Sequence, residues 1–390
     1  MKLAKWDFLK IIRDSKSRVL LIGLFLFIGS FSYFYQQNEF LDLSDEYLSE
    51  SHIYLDTFNA LTDSSLATEQ GQEIDRRLAR NQTISGMLAF IIGQDEGNTV
   101  HDLESVVGDF VEQSMELNEN VLFFYDQTDF PQYDALIRLM PPREVALEQY
   151  ELYAYMAERG IQVDANQASP GMALYSLIQL LSGVFIIIIA AVIGADSFSR
   201  DQESNWSITQ GLPVTWHRQW YTRTAIHWSL MWIVILVGIV TSFLISLIGA
   251  DSTALNYPVP LYQGENVAYV SVLTYTVIVT ILVMILSYLA LRLAIGMSFI
   301  FRNIYLTIAL VLMVFFIPYA FLIIPPMSDV NPLLYLQISP ALEQWWYPLN
   351  TQLWQMLLSF AVLFIVIELV FLYVFTLIPT RMGKLERRRK

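Results

Sequence analysis

Six long apolar segments constrain this chain more than any other feature of its sequence. A helix needs about 20 residues to cross the ~30 Å hydrocarbon core of a bilayer. Of the 390 residues, 55% are hydrophobic and only 15% are charged, whereas a soluble domain carries about a quarter charged residues. We therefore predict an all-α polytopic membrane protein with six transmembrane helices, at residues 19–36, 172–195, 225–249, 267–291, 303–324 and 353–378.

The lysines and arginines predict the orientation of these spans. Six spans place both termini on one side, and basic residues accumulate on the cytoplasmic side of a membrane. With both termini in the cytoplasm, 17 of the 23 Lys and Arg residues face it. They lie in residues 1–18, in the connector 196–224, at Arg292 and Arg302 between spans four and five, and in the tail 381–390. We predict a multi-pass plasma-membrane protein with two cytoplasmic termini.

The segments outside the spans divide the chain further. Residues 1–18 have the helical spacing of an amphipathic segment on the cytoplasmic surface. Residues 37–171 carry 26 Asp and Glu against six Arg, with helix signals such as Pro142 before an apolar period and Gly160 after it. We predict an acidic helical extracytoplasmic domain there. Residues 225–380 hold spans three to six with short loops, and 381–390 form a basic cytoplasmic tail.

The connector between the second and third spans has an unusual composition. Its second half reads QGLPVTWHRQWYTR, with Gly, Pro, aromatics and arginines close together. Acidic residues early in the connector suit the positive end of a helix, and a Gly and a Pro can close a short helical turn. Two interpretations stay open from these residues alone. Either the connector is a rigid projection that receives force from a cytoplasmic partner, or it is a plain link with arginines reaching the membrane surface.

The connector resembles the cytoplasmic loop of type-2 ATP-binding-cassette (ABC-2 type) transporter permeases. In that family an acidic residue or two, a short coupling helix, a Leu-Pro element and a basic residue follow the second span. The stretches LAIGMSFIFRNIYLTIAL and NPLLYLQ also resemble family features, while Asn205 stands where a Gly is common. By this resemblance the residues that couple to the ATPase are Asp201, Glu203, Trp206, Ile208, Gly211, Leu212, Pro213, Arg218 and Arg223.

The resemblance implies partners that this chain itself does not supply. It implies a second permease subunit, as a homodimer or heterodimer, and a separate cytoplasmic ABC ATPase subunit. The sequence contains no G-x-x-x-x-G-K-[ST] pattern, so we expect ATP and Mg²⁺ on the partner and no cofactor bound by this chain. We predict no enzymatic activity, no catalytic residue, no metal site and no nucleic-acid partner.

One carboxylate stands out within the apolar segments. Glu368 lies near the middle of the sixth span, where a charge costs about 2.5–3.5 kcal/mol, so it must face protein or water or carry a proton. It is either a polar contact that lines a path or fixes the span against a neighbour, or a protonated structural residue.

Two functional hypotheses follow from the sequence. The first is a permease subunit of an ATP-driven bacterial exporter whose substrate is a peptide, a lipid or a drug. The alternative is a non-transporting membrane sensor or scaffold, whose extracytoplasmic domain binds a ligand or partner. A co-purifying protein with a nucleotide-binding motif would favour the exporter.

Overall fold

The computed structural model describes residues 2–37, 43–62, 67–95, 103–161, 168–203, 215–248, 250, 252–263, 266–301, 303–321, 335, 338–343 and 352–377. Within them the elements are α1 (Lys2–Arg13), α2 (Ser15–Gly29), α3 (Phe31–Tyr35), α4 (Leu43–Ala60), α5 (Glu69–Asp95), α6 (Leu103–Asp126), α7 (Tyr133–Ile137), α8 (Arg143–Arg159), α9 (Pro170–Leu180), a π-helical segment (Leu181–Phe185), α10 (Ile186–Glu203), α11 (Trp216–Ser246), β1 (Pro258–Gln263), β2 (Asn266–Ser271), α12 (Val272–Phe301), α13 (Ile304–Phe321), α14 (Ile338–Glu343) and α15 (Leu353–Leu377).

The chain folds as two compact units. One comprises residues 1–36, 170–253 and 260–390, and the other comprises residues 37–169 with 254–259. The first contains all of the long apolar helices, so it is called the membrane unit below. The second is called the acidic unit.

Four helical segments of the membrane unit are long and apolar enough to cross a bilayer. They are Pro170–Phe198, Trp216–Ser246, Val272–Phe301 and Leu353–Leu377. These helices indicate a membrane-embedded protein and agree with four of the six predicted spans. The other two predicted spans, 19–36 and 303–324, fall on shorter helices in the described part of the chain. Residues 15–35 form α2 and α3, which meet at Ser30, and α13 has 18 residues.

Helix α12 is the centre of the membrane unit. In its most apolar stretch 67% of the residues are buried by protein, against 22% for α15, so α12 is an inner helix and α15 an outer one. Alanines on α10 and α12 are fully buried at their crossing, among them Ala190, Ala191, Ala290 and Ala294. Small side chains let two helix backbones approach closely, which is the main packing device inside a membrane.

The crossing of α10 and α12 depends on Gly194. A Cβ atom at this position would lie 2.5 Å from the Cβ of Ala294 and 3.2 Å from the carbonyl oxygen of Leu291. The second span also contains an interruption, because Gly183 has a non-helical backbone (φ −89°, ψ −150°) inside the π-helical segment. Hydropathy does not reveal such a break, and the sequence predicted one continuous span there.

Three further differences from the predicted boundaries have clear physical causes. The fourth span does not begin at residue 267, because residues 266–271 form β2, which pairs with β1 in a two-stranded sheet. It also continues past residue 291 to Phe301, so Arg292 lies inside a helix and not in a connector. The predicted connector 196–224 is helical at both ends, since α10 runs to Glu203 and α11 starts at Trp216.

The acidic unit is built from α4 to α8 around its own apolar core. Gly160 ends α8 with a left-handed backbone (φ 62°), and Pro142 precedes its first residue, as the sequence predicted. The core holds buried aliphatic and aromatic side chains from every helix, including Tyr54, Ile74, Leu78, Leu88, Leu117, Val121, Phe124, Leu136 and Ala146. The chain has no cysteine, so packing, hydrogen bonds and ion pairs such as that between Arg80 and Glu116 stabilise this unit without a disulfide.

A carboxylate lies at the edge of this core. Glu50 on α4 accepts a hydrogen bond from the Tyr54 hydroxyl (2.9 Å). Burial raises the pKa of Glu50 to about 6, although that hydrogen bond opposes the shift. A pKa that is raised in the folded state means that folding takes up a proton. This group therefore stabilises the fold fully below its unfolded pKa, and the contribution is lost as the pH rises through about 6.

We expect Gly194→Ala to destabilise the membrane unit by about 1–3 kcal/mol, because the added methyl group must push α10 and α12 apart. Gly23→Ala is the matched control, since no other part of the described chain, beyond its own helix backbone and adjacent residues, lies within 4 Å of the Cβ position at Gly23. The measurement is the thermal unfolding midpoint of the purified protein in detergent. Equal midpoints for the two variants would contradict the close crossing.

We expect Glu50→Gln to flatten the pH dependence of unfolding between pH 5 and 7, the window around a folded pKa of about 6. The wild-type unfolding midpoint should fall relative to that of the variant as the pH rises, because only the wild type must then bury a charged carboxylate. Glu151→Gln, on the exposed face of α8, is the control. Parallel curves for all three proteins would show that Glu50 does not titrate in this way.

Candidate functional site

A buried ion pair joins the central helix of the membrane unit to the last one. Arg292 on α12 is fully buried, and the side chain of Glu368 on α15 is 14% exposed. The guanidinium of Arg292 donates through Nε to Glu368 Oε1, and its NH2 group contacts the same oxygen. A charge inside an apolar helix requires such a partner, because removing an unpaired ion from water costs several kcal/mol.

Helix α11 completes the environment of the carboxylate. The hydroxyl of Tyr221 donates to Glu368 Oε2 at 2.7 Å, and Nε2 of His217 lies 3.9 Å from the same oxygen. Arg292 NH1 also donates to the hydroxyl of Tyr288, at 3.1 Å, one turn earlier on α12. The ion pair therefore connects three helices, α11, α12 and α15, through polar atoms of their side chains.

Aromatic rings surround the guanidinium. Its central carbon lies 3.8 Å from the ring centroids of both Trp220 and Tyr221, within the range of a cation–π interaction. The indole N–H of Trp220 donates to the backbone carbonyl of Arg292 at 3.0 Å. This tryptophan is fully buried. It packs inside the protein and not at a membrane surface.

The approach of α15 to α12 requires another glycine. A Cβ at Gly296 would lie 2.5 Å from the ring of Phe371, so only glycine admits this ring at the present spacing. Phe371 and Phe375 in turn pack on Trp220, with ring centroids 5.1 and 5.4 Å apart. We call the group of Tyr221, Arg292, Glu368, Trp220 and Phe371 the arginine cluster.

A second arginine fixes α11 to the second span. Arg223 is buried, and its guanidinium donates to the backbone carbonyl of Ser197 on α10. The guanidinium also lies over the ring of Phe198, 4.2 Å from its centroid. Arg223 and the arginine cluster therefore hold both helices that border the connector against their neighbours.

The predicted coupling residues have different positions in the structure. Asp201 and Glu203 belong to the last turn of α10. Trp206, Ile208, Gly211, Leu212 and Pro213 lie outside the described residues. Arg218 is exposed in the first turn of α11, and its backbone N–H donates to the N-cap side chain of Thr215 (3.4 Å). Arg223, by contrast, is a buried structural contact inside a helix.

Glu368 and Arg292 differ in how they could be found from the sequence. Glu368 stands out as a carboxylate in an apolar run, and the structure gives it a protein partner. Glu368 is near the middle of α15, but its carboxylate contacts Tyr221 in the first two turns of α11. It therefore lies beside the N-terminal end of α11. Arg292 was missed because the fourth span was ended at its first charged residue. The apolar residues after it, LAIGMSFIF, were the available signal.

The chemistry of the site suits a structural contact that holds helices together. Its groups are a permanently charged guanidinium, a carboxylate, hydroxyls and aromatic rings, which suit a fixed contact between spans. Among the residues that the structure describes, no group of three His, Asp or Glu side chains could hold a metal ion.

Comparison of the chain with protein-family models, with curated proteins and with solved structures gave no match.

We expect loss of either partner of the ion pair to destabilise the protein by about 3–5 kcal/mol, because a buried charge is left uncompensated. In Arg292→Met with Glu368→Leu, no charge remains, and most of that loss should be recovered. Thermal unfolding in detergent of the wild type, both single variants and the double variant measures this coupling. Arg218→Met, which removes an exposed arginine of α11, should change stability by no more than about 0.5 kcal/mol. Simple addition of the two single effects would show that the residues are not coupled.

Proposed function

We propose that this chain is the membrane-spanning permease subunit of an ATP-driven ABC exporter. Two features support the proposal. The residues of the connector follow the pattern of ABC-2 type permeases, from Asp201 to Arg223. The membrane unit supplies long apolar helices on both sides of that connector.

The observation that carries the proposal is how the helices beside the connector are held. Residues 204–215 separate α10 from α11. Arg223 ties α11 to α10 close to their connector ends, and the arginine cluster ties α11 to α12 and α15. A displacement of the connector would therefore move a group of four helices together. A group of helices that moves together would let a cytoplasmic ATPase subunit shift the equilibrium between two arrangements of the spans.

The proposal assigns ATP hydrolysis to a separate cytoplasmic subunit. That subunit would bind ATP and Mg²⁺ and press on the connector, while a second permease subunit would complete the translocation path. Both termini and the connector lie in the cytoplasm in this arrangement, with six spans and the acidic unit outside. The substrate class is a peptide, a lipid or a drug.

We expect Leu212→Asp, and Pro213→Ala combined with Glu203→Lys, to abolish stimulation of the partner ATPase while leaving membrane insertion intact. A charge at residue 212, or the loss of the proline at 213, should disrupt the proposed contact surface, and the one helical position that is changed, Glu203, is the last residue of α10. Co-purification from mild detergent identifies the ATPase, and its hydrolysis rate in the complex is the readout.

Leu48→Asp is the matched control for this experiment, because Leu48 is 48% exposed on α4 in the acidic unit. It should leave the hydrolysis rate unchanged. Unchanged stimulation in both connector variants would count against the proposal. Co-purification of a kinase or protease instead of an ATPase would favour the sensor or scaffold hypothesis.

The absence of cysteine makes the orientation directly testable. In intact cells a membrane-impermeant maleimide should label Ser49→Cys on the exposed face of α4. It should label Ser207→Cys in the connector only after permeabilisation. Labelling of Ser207→Cys in intact cells would place the connector outside, where no cytoplasmic ATPase can reach it.

A further inference from the structure

The membrane unit contains a cavity that the proposed function does not use. Its volume is about 290 Å³, and α1, α2, α10, α11 and α13 all contribute to its wall. One water molecule occupies about 30 Å³ of liquid, so this space exceeds what a single small ion requires.

Part of the cavity lining is charged. Three cationic side chains and two carboxylates line it, namely Asp7, Lys10, Lys16, Asp196 and Arg223. Among these groups positive charge is in excess, and lysine and arginine are the side chains that proteins use to bind phosphate. The charged part therefore suits a phosphate group better than an ammonium group.

Much of the remaining lining is aliphatic. It is formed by Ile11, Leu20, Leu21, Val192, Ile193 and Leu230. On α2 the apolar surface continues beyond the cavity, because Val19 is 71% exposed and Ile22 is 57% exposed. A ligand with a charged end and an apolar end would match both walls, whereas a free anion would leave the aliphatic wall without a partner.

A buried polar atom in the wall also points to a ligand. Ser197 is 8% exposed, and its hydroxyl has no hydrogen-bond partner among the residues that the structure describes. A buried hydroxyl without a partner costs free energy, so such atoms are normally satisfied. Ser197 lines the cavity beside Asp196, and its hydroxyl could donate to a phosphate oxygen there.

The cavity has the depth of a lipid headgroup. Ser197 is the next-to-last residue of the apolar segment Pro170–Phe198. Lys16 and Ser17 belong to the first turn of α2, directly after α1. Charged residues gather where apolar helices leave the hydrocarbon, and phospholipid phosphates lie at that level.

We propose that this cavity binds the phosphate headgroup of a phospholipid, with the acyl chains lying along the exposed apolar surface of α2. Lys10, Lys16 and Arg223 face the phosphate, and Ser197 donates a hydrogen bond to it. The lipid then fills the cavity between the amphipathic helix α1 and the helices α2, α10, α11 and α13. The inference depends on the membrane location of the chain and not on transport.

The test measures lipid retained by the full-length protein. Protein purified in detergent with added phosphatidylglycerol is analysed by native mass spectrometry during stepwise removal of lipid. We expect the wild type to keep one phospholipid per chain. Lys16→Glu, which reverses a charge at the cavity, should weaken lipid binding about tenfold, the effect of losing one charge-assisted contact. Leu21→Trp, which fills the aliphatic part of the cavity, should lower the retained lipid because the ring takes the space of the ligand.

Each variant has a control on the same helix or its neighbour. Leu244→Trp makes the same substitution at an exposed position of α11 that does not line the cavity, and Lys5→Glu reverses an exposed charge on α1. Both should retain lipid like the wild type. If Leu21→Trp fails to fold, as judged by circular dichroism and size exclusion, Lys16→Glu remains decisive because its side chain is exposed.

Two results would overturn the inference. In the first, all four variants retain the lipid as the wild type does, or all lose it to the same extent. In the second, millimolar inorganic phosphate displaces the phospholipid from the wild type, which would identify a site for a free anion. Neither result concerns ATPase stimulation, so the failure of this inference and of the proposed function can be distinguished.

Discussion

The membrane unit depends on the need to pair one buried charge. Arg292 lies inside the most deeply buried helix, where water cannot solvate its guanidinium. Glu368 neutralises the guanidinium, the Tyr288 hydroxyl accepts a hydrogen bond from one of its N–H groups, and aromatic rings cover its faces. These partners come from three helices, so the requirement of a single side chain determines which helices meet and at what level.

The ion pair and the glycines make complementary contributions. In a bilayer the lipid tails are as apolar as the helix surfaces, so burial of apolar area contributes little to helix association. Close packing at Gly194 and Gly296 brings the helix axes together. The polar contacts at Arg223 and Arg292 then select one register of the helices, because a shift by one residue would leave each charge without its partner. Close packing therefore brings the helices together, and the polar contacts determine their register.

Much of the helical architecture could be predicted from hydropathy and from terminal residues such as Pro142 and Gly160. What could not be predicted has identifiable physical causes. The helix of the fourth span continues past residue 291, where the sequence analysis ended the span at a charge, because a carboxylate distant in sequence neutralises that charge. The strand β2 was assigned to a span because its residues are apolar. The interruption at Gly183 is a backbone property without a signature in composition. Of the proposed coupling residues, Arg223 proved to be buried, and five lie outside the described residues.

The interruption at Gly183 divides the second span into two helices, α9 and α10, which both contact α12 but differ in their other neighbours. After Gly183 in the chain, α10 packs along α12 through the buried alanines of their crossing. Directly before Gly183, the hydroxyl of Ser182 donates a hydrogen bond to Ser339 on α14. A rigid rod would carry any tilt over its full length. A helix with an interruption can instead tilt at one end while the other end keeps its contacts. The non-helical backbone at Gly183 therefore lets the two parts of this span differ in tilt.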